Sequence, residues 1–481
     1  MSVAGVDSNQ NNVNPNDLNS KDSSTNEKVD MRNDSIYKLF FYFFIPNLCA
    51  MLALSTYSTI DGIFVGKKLG EDALAAIGLC WPVFPVLIAF ELLFGMGAAA
   101  IAAYFLGKGQ DHRARLMFSS VFYFALISSV CIGILLFVYA REVGIALGAS
   151  GDVLDYVVEY LQVIFLSAAI IILHPLLDVF VINDKRPILA MMAMIIGSVS
   201  NIILNYIFLF VWEWGMFGSA LATALGHGLG MGILLTHFVR KKGRIYLVKR
   251  FSINAVLASA KNGIPQSLSE LSVAVVIVMF NHTLVSLAVN ESVKVSYLAI
   301  YSIVMYVGVV CFTILLSCAQ GVQPVASYNY GAKQMGRVKQ VYAFGVGFAT
   351  LIGILVYAVF LLTDSYLVKL FLKSGQEGIL EPTLEAMKVY YVGYIFLGLN
   401  IVSSIFFQSI QRPRSSFVIT LSYNLVFIIP LLFVLSYLYG VVGVWASYPL
   451  SLVCSSVVVV GVVLYEYRYG VFKDSTTKAL V

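Results

Sequence analysis

The sequence predicts an all-α integral membrane protein, with twelve transmembrane helices in two six-helix bundles related by a pseudo-twofold axis. Three observations lead there. The 481 residues are 59% hydrophobic and only 12% charged, whereas soluble domains carry about 25% charged residues. About twelve stretches reach the roughly 20 mostly apolar residues that a bilayer-crossing helix needs, and they are long runs, not the short alternating strands of a barrel. The second half also repeats the first about 222 residues on. Gly97–Arg113 overlays Gly321–Arg337 without a gap, matching Gly97 with Gly321, Ala102 with Ala326, Tyr104 with Tyr328, Gly107 with Gly331, Gln110 with Gln334 and Arg113 with Arg337. Elsewhere Ile45-Pro46 falls on Ile264-Pro265, Arg186-Pro187 on Arg412-Pro413, and Gly215/Gly218 on Gly440/Gly443.

In chain order, the apolar cores of the first half cover 39–65, 75–104, 117–140, 157–182, 188–212 and 217–239. Those of the second cover 262–289, 296–327, 341–363, 387–410, 416–438 and 441–465. Basic residues mark the turns between them, and their bias sets orientation. With the N-terminus inside, only Lys67, Lys68, Arg141, Lys294, Lys369, Lys373 and Lys388 of the 31 Lys and Arg fall outside. Seven basic residues crowd the central loop: Arg240, Lys241, Lys242, Arg244, Lys249, Arg250 and Lys261. An even span count puts both termini on the cytoplasmic side.

The chain therefore divides into a cytoplasmic tail at 1–35, a bundle at 36–240, a basic linker at 241–261, a second bundle at 262–467 and a tail at 468–481. The first tail is Asn/Ser/Asp-rich, lacks the apolar core of a cleavable signal and is expected to be disordered. The linker is expected at the membrane surface, partly as an amphipathic helix. Six spans per half give both halves the same topology, so their axis runs along the membrane normal. Duplicated bundles of this kind build many secondary transporters, in which a cavity lies between halves that rock against each other.

Other classes are disfavoured. The net charge of +5 follows from orientation and calls for no nucleic-acid partner. All six cysteines lie within apolar spans and read as packing residues. HExxH, G-x-S-x-G and P-loop motifs are absent, so an enzyme is not expected. Without an ATP-binding motif, energy must come from an ion gradient.

Several segments carry a resemblance. Ile60-Asp61-Gly62-Ile63-Phe64-Val65-Gly66, followed by LGEDALAAIGLCWPV, is similar to the start of multidrug and toxic compound extrusion (MATE) transporters, especially the MepA-like bacterial branch. So are GVQPVASYNYGAKQMGRVKQ at 321–340, NDKRP at 183–187, GMFGSALATA at 215–224 and GVVGVWAS at 440–447. The likeness runs from about residue 36 to 467. It implies a monomeric, multi-pass protein of the bacterial inner membrane that needs no cofactor. Its activity would be alternating-access efflux of amphipathic, mostly cationic drugs or dyes in exchange for H⁺ or Na⁺. The alternative is a lipid-linked precursor flippase of the same superfamily, but such proteins often line their cavity with Arg and Lys, which these spans almost lack.

An ionisable residue inside a span costs roughly 2.5–3.5 kcal/mol on insertion scales, so each is a candidate site residue. The resemblance makes Asp61, in the first span, the cation-coupling carboxylate of the N-terminal half. A carboxyl sheltered from water there is suited to loading and releasing a proton. Glu270, just past Pro265, occupies the place of the acidic residue in the C-terminal half. Asn201 and Asn205 share a helix face; many relatives have Asp at the second position, and Asn cannot titrate. Asn400 sits where some relatives carry an Asp for Na⁺, although an interhelical hydrogen bond accounts for it equally. Glu91, deep in the second span, is expected to supplement Asp61. His174 and Asp178 lie one turn apart, without the third ligand of a metal site, and His227 reads as an isolated structural residue.

Aromatic, methionine and amide side chains suit large cations. They nominate Tyr57, Tyr206, Met279, Tyr301, Met305 and Tyr394 for the substrate, together with Gln320 and Gln323 beside Pro324.

Overall fold

A computed structural model of the protein describes residues 29–369 and 379–472; the expectations for 1–28 and 473–481 lie outside the described residues. The first bundle opens with α1 (Ile36–Leu69). The second span is segmented as α2 (Glu71–Cys80), α3 (Val83–Glu91), a π-helical turn (Leu92–Met96) and α4 (Gly97–Gly107). Then come α5 (Asp111–Val138), the short α6 (Ala140–Ala146), and α7 (Gly151–Leu166), which continues into α8 (Ala168–Asn183) through a 52° bend. At that bend the Ser167 hydroxyl donates to the Val163 carbonyl at 2.7 Å, competing with the helix's own ladder. α9 (Pro187–Tyr206), extended by a π-helical turn (Ile207–Val211), and α10 (Gly215–Val239) complete the bundle.

The second bundle holds α11 (Ile253–Ser286), α12 (Glu291–Gly331) and α13 (Met335–Lys369), followed by α14 (Leu380–Tyr390) and α15 (Gly393–Ser409), which meet at 43°. It ends with α16 (Pro413–Leu421), a π-helical turn (Ser422–Val426) and α17 (Ile428–Arg468). Gly440 breaks α17 at φ 58° and ψ −137°, so the run from Pro413 to Arg468 crosses twice. Counting each bent pair as one span gives the twelve that the hydropathy pattern predicts.

The repeat is written into the backbone. Left-handed residues recur at matching turns: Gly109 (φ 73°) and Lys333 (φ 60°), Lys185 (φ 66°) and Gln411 (φ 60°), Gly215 (φ 60°) and Gly440 (φ 58°). The bent fourth span of each half recurs as well.

The bundles meet reciprocally, α1 against α12 and α3–α4 against α11. At the centre of this seam a Cβ on Gly107 would strike the Tyr328 carbonyl, and one on Gly331 would strike the Tyr104 carbonyl. These four positions are repeat-mates, so the contact lies across the pseudo-twofold axis. Further along the seam Gly97 closes on Ser259 and Gly263 of α11, while its mate Gly321 closes on Phe40 and Phe44 of α1. Small residues let helix backbones approach closely in lipid.

Polar bonds reinforce these approaches. Ser259 donates to the Phe94 carbonyl at 2.5 Å, an oxygen in the π-helical turn, where the regular ladder is interrupted. Asn262 donates to the Gly97 carbonyl at 3.1 Å, Asn47 to Gln320 at 2.5 Å and Asn183 to Gln323 at 3.2 Å. Among the described residues, the hydrogen bonds that tie the bundles lie in the half of the molecule that carries the termini.

Two expectations change. Residues 29–34, assigned to the disordered tail, are packed onto the seam. Arg337 donates to the carbonyls of Met31 and Asp34 at 3.3 and 2.6 Å, Asn329 donates to Met31 at 3.2 Å, and Arg32 donates to the Gly107 carbonyl at 3.2 Å. The signal missed was local: Val29 and Met31 are apolar enough to be buried. The linker, in turn, is an extended strap only up to Ser252; its helical part, 253–261, forms the first turns of α11. It is held by specific bonds. Asp184 accepts from the amides of Arg244 and Ile245 and pairs with His237 at 2.8 Å. Arg244 grips Asp111, and Ser119 and Ser120 accept from the amides of Val248 and Ser252 at 2.9 Å each.

Overpacking a tight contact costs about 1–3 kcal/mol. Gly107→Val and Gly331→Val should therefore lower the apparent melting temperature of the purified protein by similar amounts; a loss at only one of the two would contradict the reciprocal contact. Arg337→Ala should release residues 29–34, read as faster amide hydrogen exchange in that segment alone.

Candidate ion and substrate site

Four spans of the first bundle carry polar residues at four-residue spacing, which puts each set on one helix face. They are Tyr57 and Asp61 on α1, His174 and Asp178 on α8, Asn201 and Asn205 on α9, and Ser219, Thr223 and His227 on α10. The fold turns these faces inward. Asp61 is buried, and so are Asn201, Asn205, Ser219, Thr223 and His174.

Among the described residues, Asp61 is held only by neutral donors. The Asn205 amide bonds to its Oδ1, and the Ser219 hydroxyl donates to the same oxygen at 3.0 Å. Asn201 donates to the Thr223 hydroxyl at 3.3 Å, which donates in turn to the Ser219 carbonyl at 3.3 Å. Asp61 forms no ion pair with any described residue. The amide oxygens of Asn201 and Asn205 are buried without a hydrogen-bond partner. Carboxylate, amide and hydroxyl oxygens suit a proton or a hard cation. Asn205 also serves either protonation state: its NH₂ donates to a carboxylate, and its oxygen accepts from a carboxylic acid once the amide turns over.

Two histidines adjoin this group. The Tyr57 hydroxyl meets Nε2 of His227 at 3.3 Å, and the Nδ1 atoms of His227 and His174 lie 3.1 Å apart. Tyr57, His174, Ser198, Asn201, Thr223 and His227 line a cavity of about 10 Å³, the size that holds one water.

The structure separates Glu91 from the expected role beside Asp61. Glu91 is buried, with Oε1 unpartnered, and the charged groups within its electrostatic reach are Asp178 and Glu270. This places it between the bundles. Glu270, on α11, is half-buried, and its neighbour Ser269 bonds with Tyr423 at 3.3 Å and Asn424 at 2.9 Å. Asn400 is far from a free ligand. It donates to the Leu452 carbonyl at 3.3 Å and to Ser456 at 3.1 Å, and its oxygen accepts from Ser455 at 2.6 Å. Its bonds tie α15 to α17.

Apart from Tyr57, which meets His227, the nominated substrate residues divide into three environments. Gln320 and Gln323 belong to the seam described above. Tyr301, Met305 and Tyr394 are packed inside the second bundle: Tyr301 stacks on Phe280 at 5.3 Å, Tyr394 donates to the Gly308 carbonyl at 3.0 Å, and the Tyr390 hydroxyl meets Met305 at 3.8 Å. Met279 packs against the same core, whereas Tyr206 is exposed and stacks on Phe210 at 5.3 Å. Ser219, Thr223 and the His174–His227 pair were not foreseen. A search for four-residue polar spacing within apolar spans would have found each stripe, though not its partners.

Comparison with known proteins agrees with this architecture. The MatE family profile matches the chain twice, at residues 46–207 and 271–434, once in each bundle. The multidrug export protein MepA of Staphylococcus haemolyticus is 25% identical over 430 residues, covering 88% of this chain and 92% of that protein. MepA of Staphylococcus saprophyticus is 26% identical over 444 residues, covering 91% and 96%. Among solved structures, the fold is similar to an outward-facing MATE family multidrug resistance transporter, with TM-score 0.85, 22% identity, and coverage of 92% of this chain and 98% of that one. It is also similar to a transporter of the wider superfamily from Pyrococcus furiosus, described as having a binding pocket of reversed polarity, with TM-score 0.84, 23% identity and the same coverage. With its profile matched in both halves, the chain belongs to the MATE family of multi-pass membrane transporters.

Proposed function

We propose that this protein is a secondary active antiporter that exports amphipathic, mostly cationic compounds in exchange for H⁺ or Na⁺. The observation that carries this reading is Asp61, a buried carboxylate inside a span whose hydrogen-bonding partners are all neutral. A structural carboxylate is held by a cation; one that must bind and release a cation is left available for it. Glu270 supplies a second carboxylate in the other bundle. Neither it nor Glu91 or Asp178 pairs with a described Lys or Arg, which favours a cationic cargo over a pyrophosphate. The relatives named as multidrug export proteins support the same reading.

In this account the terminal face is cytoplasmic. The ties along the seam then close the inner side, and the described state is outward-facing. External cations reach the carboxylates, substrate leaves, and the loaded protein turns inward. A ligand drives such a cycle only by binding the two states unequally. One net charge crossing 100 mV is worth about 2.3 kcal/mol, roughly 50-fold in concentration. A single proton exchanged for a monovalent cation moves no net charge, so carboxylates in both bundles give room for the second ion that strong export requires.

The test is reconstitution of the full chain in liposomes with a fluorescent cationic dye. An imposed pH gradient without sodium, or a sodium gradient alone, should drive dye against its gradient; movement under neither would sink the proposal. Asp61→Asn and Glu270→Gln should each reduce driven movement to the protein-free background while dye binding persists. Asn205→Asp should add a titrating group beside Asp61 and raise the ion count per cycle, measured as a changed reversal potential; an unchanged potential would separate position 205 from coupling.

A further inference from the structure

We propose that Tyr57, His227 and His174 form a proton-transfer chain that joins Asp61 to the carboxylates at the boundary between the bundles. It deepens the antiport reading and rests on the proton as coupling ion. Two contacts, two one-turn spacings and three unpartnered atoms carry it.

The contacts run in series. Tyr57 lies one turn from Asp61 on α1, and its hydroxyl meets His227 at 3.3 Å. His227 meets His174 through facing Nδ1 atoms at 3.1 Å. His174 lies one turn from Asp178 on α8, and Asp178 and Glu270 are within electrostatic reach of Glu91. Facing Nδ1 atoms require that a single hydrogen lie between them, since two lone pairs repel and two N–H groups collide. Either ring can hold it, and exchange between the two arrangements is proton transfer.

The unpartnered atoms stand at the far end. Nε2 of His174, Oδ1 of Asp178 and Oε1 of Glu91 are all buried without a hydrogen-bond partner. Buried polar groups normally have one, so these three atoms are left free to take up or give up a hydrogen. The water-sized cavity lined by Tyr57, His174 and His227 can hold one water that joins these three groups.

The transfer balances without an ionised ring. Protonated Asp61 gives its hydrogen to the Tyr57 oxygen as Tyr57 gives its own to Nε2 of His227. The Nδ1 hydrogen of His227 passes to Nδ1 of His174, and the Nε2 hydrogen of His174 leaves towards Asp178. Four O–H or N–H bonds break and four form, and reversal carries a proton the other way. Besides the pair, the titratable groups along the chain are Tyr57 and Asp61 from α1, Asp178 from α8, Glu91 from α3 and Glu270 from α11; Tyr160 of α7 lies within electrostatic reach of Asp61 and Tyr57, and Asn201 and Ser198 of α9 do not titrate. The chain gives buried Asp61 access to protons that arrive at half-buried Glu270.

The experiment is a pH jump on the full-length protein in lipid nanodiscs, followed by time-resolved infrared absorption of the Asp61 carboxylic acid band, identified by its loss in Asp61→Asn. Tyr57→Phe, His174→Gln and His227→Gln should slow its appearance at least about tenfold and leave its final amplitude unchanged. Glutamine keeps hydrogen bonds, which protects folding, but does not hand on a proton. Added imidazole should restore the rate in His227→Ala, a rescue that a packing role would not show. Unchanged rates, or the absence of an Asp61 band, would overturn the chain. Slowed rates without pH-driven dye movement would support the chain while rejecting proton-coupled antiport; pH-driven dye movement with unchanged rates would do the opposite.

Discussion

The two bundles come closest where side chains are missing, and this constraint organises the molecule. At the pseudo-twofold axis, Gly107 and Gly331 each lie under a carbonyl of the other repeat. Helices in lipid gain little from burying apolar surface against each other, so close approach and interhelical hydrogen bonds decide where they associate. Glycines make the approach, and Ser259, Asn262, Asn47 and Asn183 supply the bonds. Because both kinds of contact cluster in the half that carries the termini, the seam is closed there. The packing of residues 29–34 onto Gly107, Asn329 and Arg337 follows from the same closure, which creates the surface they cover.

That arrangement settles what the interior carboxylates can do. Asp61 stands inside one bundle, whereas Glu91, Asp178 and Glu270 gather where the bundles adjoin. A site within one rigid bundle responds to relative motion only if something links it to the boundary. On the proposed chain, the polar faces of α1, α8 and α10 are the elements that would span the distance, because four-residue spacing keeps a helix face polar over several turns without breaking the apolar surface around it. Site geometry and bundle geometry thus meet in one feature of the sequence.

Much of this was legible without coordinates. Apolar runs located the spans because helical backbone bonding in lipid leaves few alternatives, and the repeat predicted two equivalent bundles because equal sequences adopt equal turns. Lys333 and Gln411 show the strength of that rule: they adopt the left-handed conformation of their mates Gly109 and Lys185, although neither is a glycine. Asp61 and Glu270 stood out because charge in a span is costly. The pairing of His174 with His227 did not, since nothing local distinguishes residues 53 positions apart that meet only through helix packing. Glu91 was assigned to the wrong neighbour for the same reason: depth in a span can be counted from the sequence, but azimuth against other spans cannot. For Asn400 the sequence left an ion ligand and an interhelical hydrogen bond open, and the structure shows the bond, with its oxygen engaged by Ser455.

Asn400 and Asn205 differ in what their amides have left to offer an ion. Both are fully buried amides in the interior of a bundle. Asn400 spends its donor and its acceptor on α17 and its own helix, so an ion there would have to break bonds that hold two spans together. Asn205 spends its donor on Asp61 and keeps its oxygen unpartnered. An arriving proton or cation therefore meets a carboxylate and a spare carbonyl side by side, and binding requires at most a turn of one amide. Availability of the second oxygen, more than the charge of the residue that carries it, distinguishes an ion site from a structural bond.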